Sequence, residues 1–186
     1  MKIARTLQLI GLFAATAFIS NAADWPHWRG PDRNGISKET GWSAKWPAAG
    51  PKQLWKAKVG WGFSTFSISK GRAYITGNTS DTDTIFCFDA ITGKELWKHS
   101  YSAPLDPKYY EGGTSSTPTV DGDCIYTLSK RGVIYCLDAT KGTVIWTKNL
   151  AEELKAEIPT WGFAGSVLIE GDLAILNVGS QGRSAG

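Results

Sequence analysis

The residues able to bind a metal or to act as nucleophiles are few in this 186-residue sequence. Asp81 and Asp83 resemble an oxygen pair for Ca²⁺, but the glycine and the distal glutamate of a calcium loop are missing, which favours a solvated turn. His27 and His99 are far apart and follow no zinc-ligand pattern. Phosphate-binding glycine loops and nucleophile elbows are also absent. We therefore expect no catalytic residue and no metal site.

The three cysteines, Cys87, Cys124 and Cys136, are too few for a disulfide framework. Cys124 and Cys136 can face each other across a hairpin only in the right register, because a slip of one residue moves them to opposite faces of the sheet. We interpret all three as buried free thiols.

Residues suited to binding are better represented than residues suited to catalysis. The longest connections between apolar runs, 78–84, 101–114, 129–132 and 150–161, and the residues beside them carry aromatic and charged side chains, and function concentrates on such loops. The candidate binding residues are Trp61, Tyr109, Tyr110, Glu111, Lys130, Arg131 and Trp161. They form one site only if the fold brings these connections together.

The elements that must position these residues repeat along the chain with a period of about fifty residues, which is typical of propellers and solenoids. Residues 84–97 read TIFCFDAITGKELW and residues 133–146 read VIYCLDATKGTVIW. Three glycines keep the same period, and Trp-Gly-Phe occurs at both 61–63 and 161–163. These glycines are Gly71, Gly122 and Gly171. The motif shared by the two copies consists of Asp89, Gly93 and Trp97, and of Asp138, Gly142 and Trp146.

Each repeat predicts four short antiparallel strands, because runs of β-branched and aromatic residues are bounded by Gly, Asp and Lys. Lys70-Gly71 and Asp121-Gly122 suit tight hairpins that need a positive φ. Asp89 and Asp138 are placed to accept hydrogen bonds within their own turns. The third strands are apolar on both faces, which is typical of a sheet covered on each side. In the second copy we expect strands at about 115–120, 123–128, 133–138 and 143–149.

Covered sheets that stack face to face around an axis form a β-propeller, so the sequence predicts an all-β chain of four-stranded antiparallel blades. In that topology the connections between second and third strands share one face with the connections between blades. We call this the loop face. The candidate binding residues lie on it, either as a recognition surface or as plugs of the ring opening. Trp97 and Trp146 are expected to pack between blades rather than to bind a ligand.

The chain is expected to supply about two and a half blades of a larger ring, because closed propellers have four to eight blades. We assign the partial propeller to residues 53–186. The other blades of the protein's own chain are expected to close the ring, and the isolated piece is expected to expose sheet edges. The predicted units are a donated strand at 53–59, blades at 62–103 and 113–150, and an incomplete blade at 162–186.

Residues 1–22 have the charge and hydropathy of a bacterial signal peptide, with Lys2 and Arg5 before an apolar run too short to span a membrane. We expect cleavage before Ala23, a periplasmic or secreted protein, and no membrane-spanning segment. Removal of Lys2 and Arg5 lowers a formal charge that is only +3 in the whole sequence. A nucleic-acid partner therefore has no electrostatic support.

Residues 23–52 are predicted to form an extended segment rich in Trp, Pro and Gly. Its four tryptophans, Trp25, Trp28, Trp42 and Trp46, are open to two interpretations. They can form a sugar-binding stripe, or they can belong to a tail laid on the flank of the propeller. We prefer the packed tail, because Trp supplies burial readily.

The motif Asp-Ala-x-x-Gly-x-x-x-Trp at 89–97 and 138–146 resembles the pyrroloquinoline quinone (PQQ)-like β-propeller repeat, and the resemblance extends from Trp55 to the C terminus. The opening residues 24–31, followed by Asn34-Gly35, look like the start of exported propellers of planctomycete-type bacteria. The resemblance implies a ring of seven or eight blades. The superfamily contains quinoprotein dehydrogenases and also a non-enzymatic, BamB-like branch.

The resemblance leaves several functions open, since fold alone does not determine function. PQQ-dependent dehydrogenases of this superfamily imply a vicinal Cys-Cys pair and a Glu, Asn and Asp set for calcium, but no two cysteines are adjacent here. We favour a non-catalytic binding or scaffolding protein that holds an unknown protein or small molecule, and we identify no cofactor. The alternatives are a dehydrogenase whose PQQ and calcium site lies in other blades, and a carbohydrate-binding module.

Overall fold

The computed structural model describes residues 23–108 and 110–178. Within these ranges the chain forms ten β-strands and one short helix. The first sheet contains β1 (Ser67–Ser69), β2 (Arg72–Asn78), β3 (Thr82–Asp89) and β4 (Glu95–Ser102). The second sheet contains β5 (Thr119–Asp121), β6 (Cys124–Leu128), β7 (Val133–Asp138) and β8 (Val144–Asn149). The short helix and a third sheet follow as α1 (Leu150–Glu153), β9 (Leu168–Glu170) and β10 (Leu173–Ile175).

The two four-stranded sheets are antiparallel meanders in which each strand pairs with the next one along the chain. Strand β1 lies beside β5, and β5 lies beside β9, so the first strand of every sheet is the innermost. This arrangement confirms the predicted all-β fold with four-stranded propeller blades. The strands of the second repeat lie where the sequence predicted them, except that β5 begins only after Pro118, which has no N–H to donate.

The third strand of each complete sheet is buried from both sides, as its apolar pattern predicted. Ile85 and Cys87 of β3 pack with Val120, Ile125 and Leu137 of the second sheet in one core cluster. A second cluster joins the second sheet to the third. No sheet buries both of its faces by itself, so the stability of each blade depends on its neighbours.

The turns have the backbone geometry that the sequence predicted. Lys70 and Gly71 both have positive φ in the β1–β2 hairpin, and Gly122 has a φ of 57° after β5. After β3, the Asp89 carboxylate accepts hydrogen bonds from the backbone N–H groups of Ile91 and Thr92. Asp138 does the same for Thr140 and Lys141 after β7. Each of these two turns is therefore closed by its own aspartate.

The motif tryptophan of one blade docks onto the turn of the next blade. Trp97 Nε1 donates a hydrogen bond of 3.1 Å to the Ala139 carbonyl, and the Tyr74 hydroxyl donates to the same oxygen at 3.1 Å. Gly142 has a φ of 70°, and a Cβ at this position would lie 2.6 Å from Cδ2 of Trp97. The indole therefore fills the space that a side chain at position 142 would need. Trp97 thus packs between the first two blades.

Residues 53–59, predicted as a donated strand, form no strand in the described chain, but Trp55, Ala57 and Val59 pack on the first sheet. Trp55 Nε1 donates to the Ala90 carbonyl at 3.0 Å, as Trp97 does to Ala139. Gly93 lies under the Trp55 ring, as Gly142 lies under Trp97. The same docking contact therefore occurs twice along the described chain.

All three cysteines are free, as predicted, and Cys87 and Cys136 are buried, but the predicted burial of Cys124 is wrong because this residue is only partly covered. The register pairs Cys124 with Asp138 and Tyr126 with Cys136, so the two thiols share a face but are not directly opposite. Burial raises the pKa of the Cys87 thiol to about 12 and that of Cys136 to about 11. These thiols stay protonated at neutral pH and are poor nucleophiles.

The flank position predicted for the N-terminal tryptophans is wrong for Trp25. Trp25 pairs with Ile68 of the innermost strand β1 and does not lie on the outer flank. The physical reason is that the inner edge of β1 carries backbone N–H and C=O groups that need partners. The predicted burial also fails for Trp28, Trp42 and Trp46, which keep 59%, 75% and 63% of their surfaces accessible.

The predicted signal peptide, residues 1–22, lies outside the described residues. Within 23–108 and 110–178, none of the helical structure is long and apolar enough to cross a membrane.

Replacing Gly142 with alanine is expected to destabilise the chain by about 2 to 4 kcal/mol, because the left-handed backbone costs about 1 kcal/mol or more and the clash with Trp97 adds to it. Gly122→Ala is the matched control, since Gly122 also has positive φ but has no atom within 4 Å of the added Cβ. Urea denaturation of both variants measures the difference. An equal loss of stability in both variants would show that the docking of Trp97 does not require a glycine at position 142.

Candidate functional site

The structure brings three of the predicted binding residues together, and Tyr109 lies outside the described residues. The rings of Tyr110 and Trp161 have centroids 5.6 Å apart. Lys130 Nζ donates a hydrogen bond of 2.8 Å to the Tyr110 hydroxyl. Glu111 follows Tyr110 in the chain and is exposed. Trp61 is 56% exposed and lies two residues before Phe63.

Phe63 completes the site, although it was not among the predicted residues. Its ring centroid lies 5.4 Å from that of Tyr110, and we call Phe63, Tyr110 and Trp161 the aromatic cluster. The sequence signal was the repeated Trp-Gly-Phe. The two copies differ in environment, because Phe63 is 57% exposed whereas Phe163 is 3% exposed.

Backbone contacts fix the three loops that carry the aromatic cluster. Trp61 exchanges two backbone hydrogen bonds of 2.8 Å with Asn78, the last residue of β2, and Phe63 N–H donates to the Thr114 carbonyl at 2.7 Å. The Phe163 N–H donates to the Lys130 carbonyl at 3.0 Å, which holds the loop after Trp161 against the β6–β7 connection. These contacts place the cluster at the loop face.

The burial of Lys130 is unexpected. Its exposed fraction is 7%, and it makes no ion pair within 4 Å among the described residues. Its ammonium lies 5.1 Å from the centroid of the Tyr110 ring as well as within hydrogen-bond distance of the hydroxyl. A buried lysine fixed in this way holds the orientation of Tyr110.

A buried polar network lies beneath Lys130. Asn78 Nδ2 donates to Asp83 Oδ1 at 2.7 Å and to the Ala103 carbonyl at 2.9 Å. Burial raises the pKa of Asp83, while hydrogen bonds from Asn78 and Tyr101 and the positive charge of Lys130 oppose this rise. Asp83 thus interacts electrostatically with the lysine that holds Tyr110.

The rim of the site is polar and exposed. Arg131 Nη2 lies 3.6 Å from Asp106 Oδ2, and Lys108 Nζ lies 4.0 Å from the same oxygen. Lys108 also donates to the Thr160 carbonyl at 2.7 Å. Arg131 is therefore a rim residue, and exposed ion pairs of this kind contribute little to stability.

The surface above the aromatic cluster is a shallow depression of about 310 Å³, lined by Phe63, Tyr110, Ser115, Trp161 and Ala164. Asp81 and Asp83 do not form a cation site, because Asp81 Oδ1 accepts from the Leu105 N–H at 2.7 Å while Asp83 is buried on Asn78. In the described ranges no three His, Cys, Asp or Glu side chains are grouped to hold a metal ion. The arrangement is suited to contact through apolar rings.

A family model described as "Outer membrane protein assembly factor BamB" matches residues 37–115 and 106–182. The chain belongs to this family. Its members share the PQQ-like propeller repeat that the Asp-Ala-x-x-Gly-x-x-x-Trp motif predicted. No curated protein sequence matches the chain.

Solved structures with similar folds include both enzymes and an assembly factor. The quinohemoprotein alcohol dehydrogenase from Comamonas testosteroni is 16% identical, with 63% of this chain covered, 17% of that chain covered and a TM-score of 0.47. BamB from Moraxella catarrhalis is 22% identical, with 47% and 22% covered and a TM-score of 0.32. A europium-containing methanol dehydrogenase is 24% identical, with 46% and 15% covered and a TM-score of 0.37. This chain spans less than a quarter of the length of each of them.

The raised pKa of Asp83 predicts a pH trend in stability. A carboxyl group with a raised folded-state pKa contributes stability that is present below its unfolded pKa and is lost as the pH rises through the folded pKa. Relative to Asp83→Asn, the wild-type chain should therefore lose stability as the pH rises from the ordinary aspartate pKa of about 3.9 through the raised pKa of Asp83. Denaturation curves across this range measure the difference.

Asp89→Asn is the control of opposite sign, because hydrogen bonds from Thr92 lower the pKa of Asp89. Relative to this variant, the wild-type chain should gain stability as the pH rises through that lowered pKa. The same trend for both variants would contradict the assigned environments.

Proposed function

We propose that this chain belongs to an exported propeller that acts as a non-catalytic binding or scaffolding protein and contacts its partner through the aromatic cluster. The observation that supports this role is the convergence of three rings from three different connections on one surface, where Phe63 and Trp161 are exposed and Tyr110 is half-buried between them. Aromatic side chains combine large apolar area with few rotatable bonds, so they are common anchors of protein interfaces.

The ordered base of the aromatic cluster favours a binding role over the alternative role of filling the ring opening. Lys130 holds Tyr110 from below, and backbone hydrogen bonds hold the loops of Phe63 and Trp161. Surfaces that are ordered before binding lose less conformational entropy when a partner docks. The shallow shape suits an extended or flat apolar segment of a protein more than an enclosed small molecule.

The proposed localisation is the periplasm or the cell exterior. It is supported by the charge and hydropathy of residues 1–22, which are those of a signal peptide. The family model also bears the description of an outer-membrane assembly factor, and a scaffold of this kind is consistent with it.

The described residues do not fit a PQQ and calcium site. Cys87 and Cys136 are buried within the blades on different sheets, and burial raises the pKa of both thiols. Asp83 is buried on Asn78 and Tyr101. A dehydrogenase site would have to be formed by other blades, and it remains the competing function because the superfamily includes such enzymes.

Trp161→Ala is expected to weaken binding of the full-length protein to extended peptides at least about tenfold, because truncation of a buried aromatic anchor costs about 2 kcal/mol or more. The probe is an immobilised library of unbiased peptides of about twelve residues, which are longer than the aromatic cluster when extended, and affinities of the bound peptides are then measured by fluorescence anisotropy. Trp42→Ala is the matched control, since Trp42 is also an exposed tryptophan but lies in the N-terminal segment. Equal affinities for all three proteins would rule out the aromatic cluster as the binding surface.

The competing function is tested by titrating the full-length protein with PQQ in the presence and absence of Ca²⁺ while following the absorbance of the quinone. We expect no saturable, Ca²⁺-dependent binding. Saturable binding that needs Ca²⁺ would instead establish a cofactor site in the other blades and would support the dehydrogenase.

A further inference from the structure

The first strands of the three sheets present equivalent residues to the propeller axis. Ile68, Val120 and Ile169 are the middle residues of β1, β5 and β9. Because these strands are innermost, one edge of each has no neighbouring strand within its own sheet. Such edges carry backbone N–H and C=O groups that readily accept an added strand.

Residues 24–33 bind all three of these equivalent positions. Trp25 N–H donates to the Ile68 carbonyl and the Ile68 N–H donates to the Trp25 carbonyl, both at 2.8 Å. The Val120 N–H donates to the Pro26 carbonyl at 2.7 Å. The guanidinium of Arg33 donates to the Ile169 carbonyl. A segment of ten residues thus crosses three consecutive blades.

Side chains at both ends hold this segment in register. Asp24 Oδ2 accepts a hydrogen bond of 2.8 Å from the Ser69 hydroxyl, and Asp24 Oδ1 accepts one of 3.1 Å from the Lys70 N–H. At the other end, Arg33 Nη1 lies 2.9 Å from Glu170 Oε2.

The turn between the two ends is equally specific. Gly30 has a φ of 72°, and a Cβ there would lie 2.6 Å from the ring of Trp25, so the segment folds back over its own tryptophan. The binding therefore depends on particular residues and not only on backbone pairing.

We propose that the inner edges of β1, β5 and β9 form a peptide-binding surface and that residues 24–33 are its resident intramolecular ligand. The segment acts as a clasp that joins three blades near the β1–β2 hairpin. A cavity of about 270 Å³ remains between the clasp and strands β5 and β9. The loop face lies at the other end of these strands, so its aromatic cluster stays accessible while the clasp is bound.

Hydrogen exchange of the full chain tests the clasp directly. In the double variant Asp24→Ala, Arg33→Ala, the Ile68 and Val120 amides should exchange at least about tenfold faster than in the wild type, because local release exposes them while the blades stay folded. The Cys87 amide within β3 is the internal reference and should not change. Lys45→Ala is the control variant, since Lys45 is an exposed residue of the N-terminal segment that lies outside residues 24–33.

Two outcomes of this exchange experiment would overturn the proposal. Unchanged exchange at Ile68 and Val120 would show that the segment does not protect them. An equal acceleration at Cys87 would show that the substitutions unfold the blades and do not release a clasp.

A labelled peptide of residues 23–35 provides the second test, again on the full chain. Its affinity for the double variant should exceed its affinity for the wild type at least about tenfold, because the resident segment no longer competes for the surface. A scrambled peptide of the same composition is the control. Equal affinities for both proteins, or equal binding of the scrambled peptide, would refute a sequence-specific site.

The clasp and the aromatic cluster can fail independently. Trp161→Ala should leave the exchange of Ile68 and Val120 unchanged, because this tryptophan lies at the loop face.

Discussion

The contact between a tryptophan of one blade and the turn of the next is the constraint on which the described structure depends. The indole N–H of Trp97 reaches the Ala139 carbonyl, and its ring lies on Gly142. This single contact requires an aspartate-closed turn, a glycine without a side chain, and a tryptophan at a fixed distance from both. It therefore explains why Asp, Ala, Gly and Trp recur together, and why the chain can bury both faces of short strands that would be unstable alone.

The loop face inherits its rigidity from this packing. Asp83 is buried in the first blade, Lys130 belongs to the second, and the Trp161 loop leads into the third. The electrostatic cost of burying the Asp83 carboxylate is offset in part by Asn78, Tyr101 and the charge of Lys130. A polar network that spans blades in this way supports exposed rings that an isolated loop would leave mobile.

The strands, turns and blade contacts could be predicted from the sequence because each depends on local chemistry. Positive φ selects glycine, a closed turn selects aspartate, and covered strands are apolar on both faces. Two features could not be predicted. The N-terminal segment binds β1 and β5 through backbone groups, and its side-chain contacts, Asp24 with Ser69 and Arg33 with Glu170, join residues far apart in the sequence, so no local pattern reveals them. Phe63 was missed because its repeat equivalent, Phe163, has the same local sequence and is buried, so what covers each ring is decided by tertiary packing.

The tryptophan contact also bears on how such chains change length during evolution. Each junction is built from one residue of a blade and a turn of the following blade, and the same pair of partners serves at Trp55 with Gly93 and at Trp97 with Gly142. A duplicated repeat would carry the turn for the junction with the preceding blade and the tryptophan for the junction with the following one. Unequal recombination between repeats could therefore insert or delete a whole blade without any new interface having to arise, and rings of different size could share a single inherited unit.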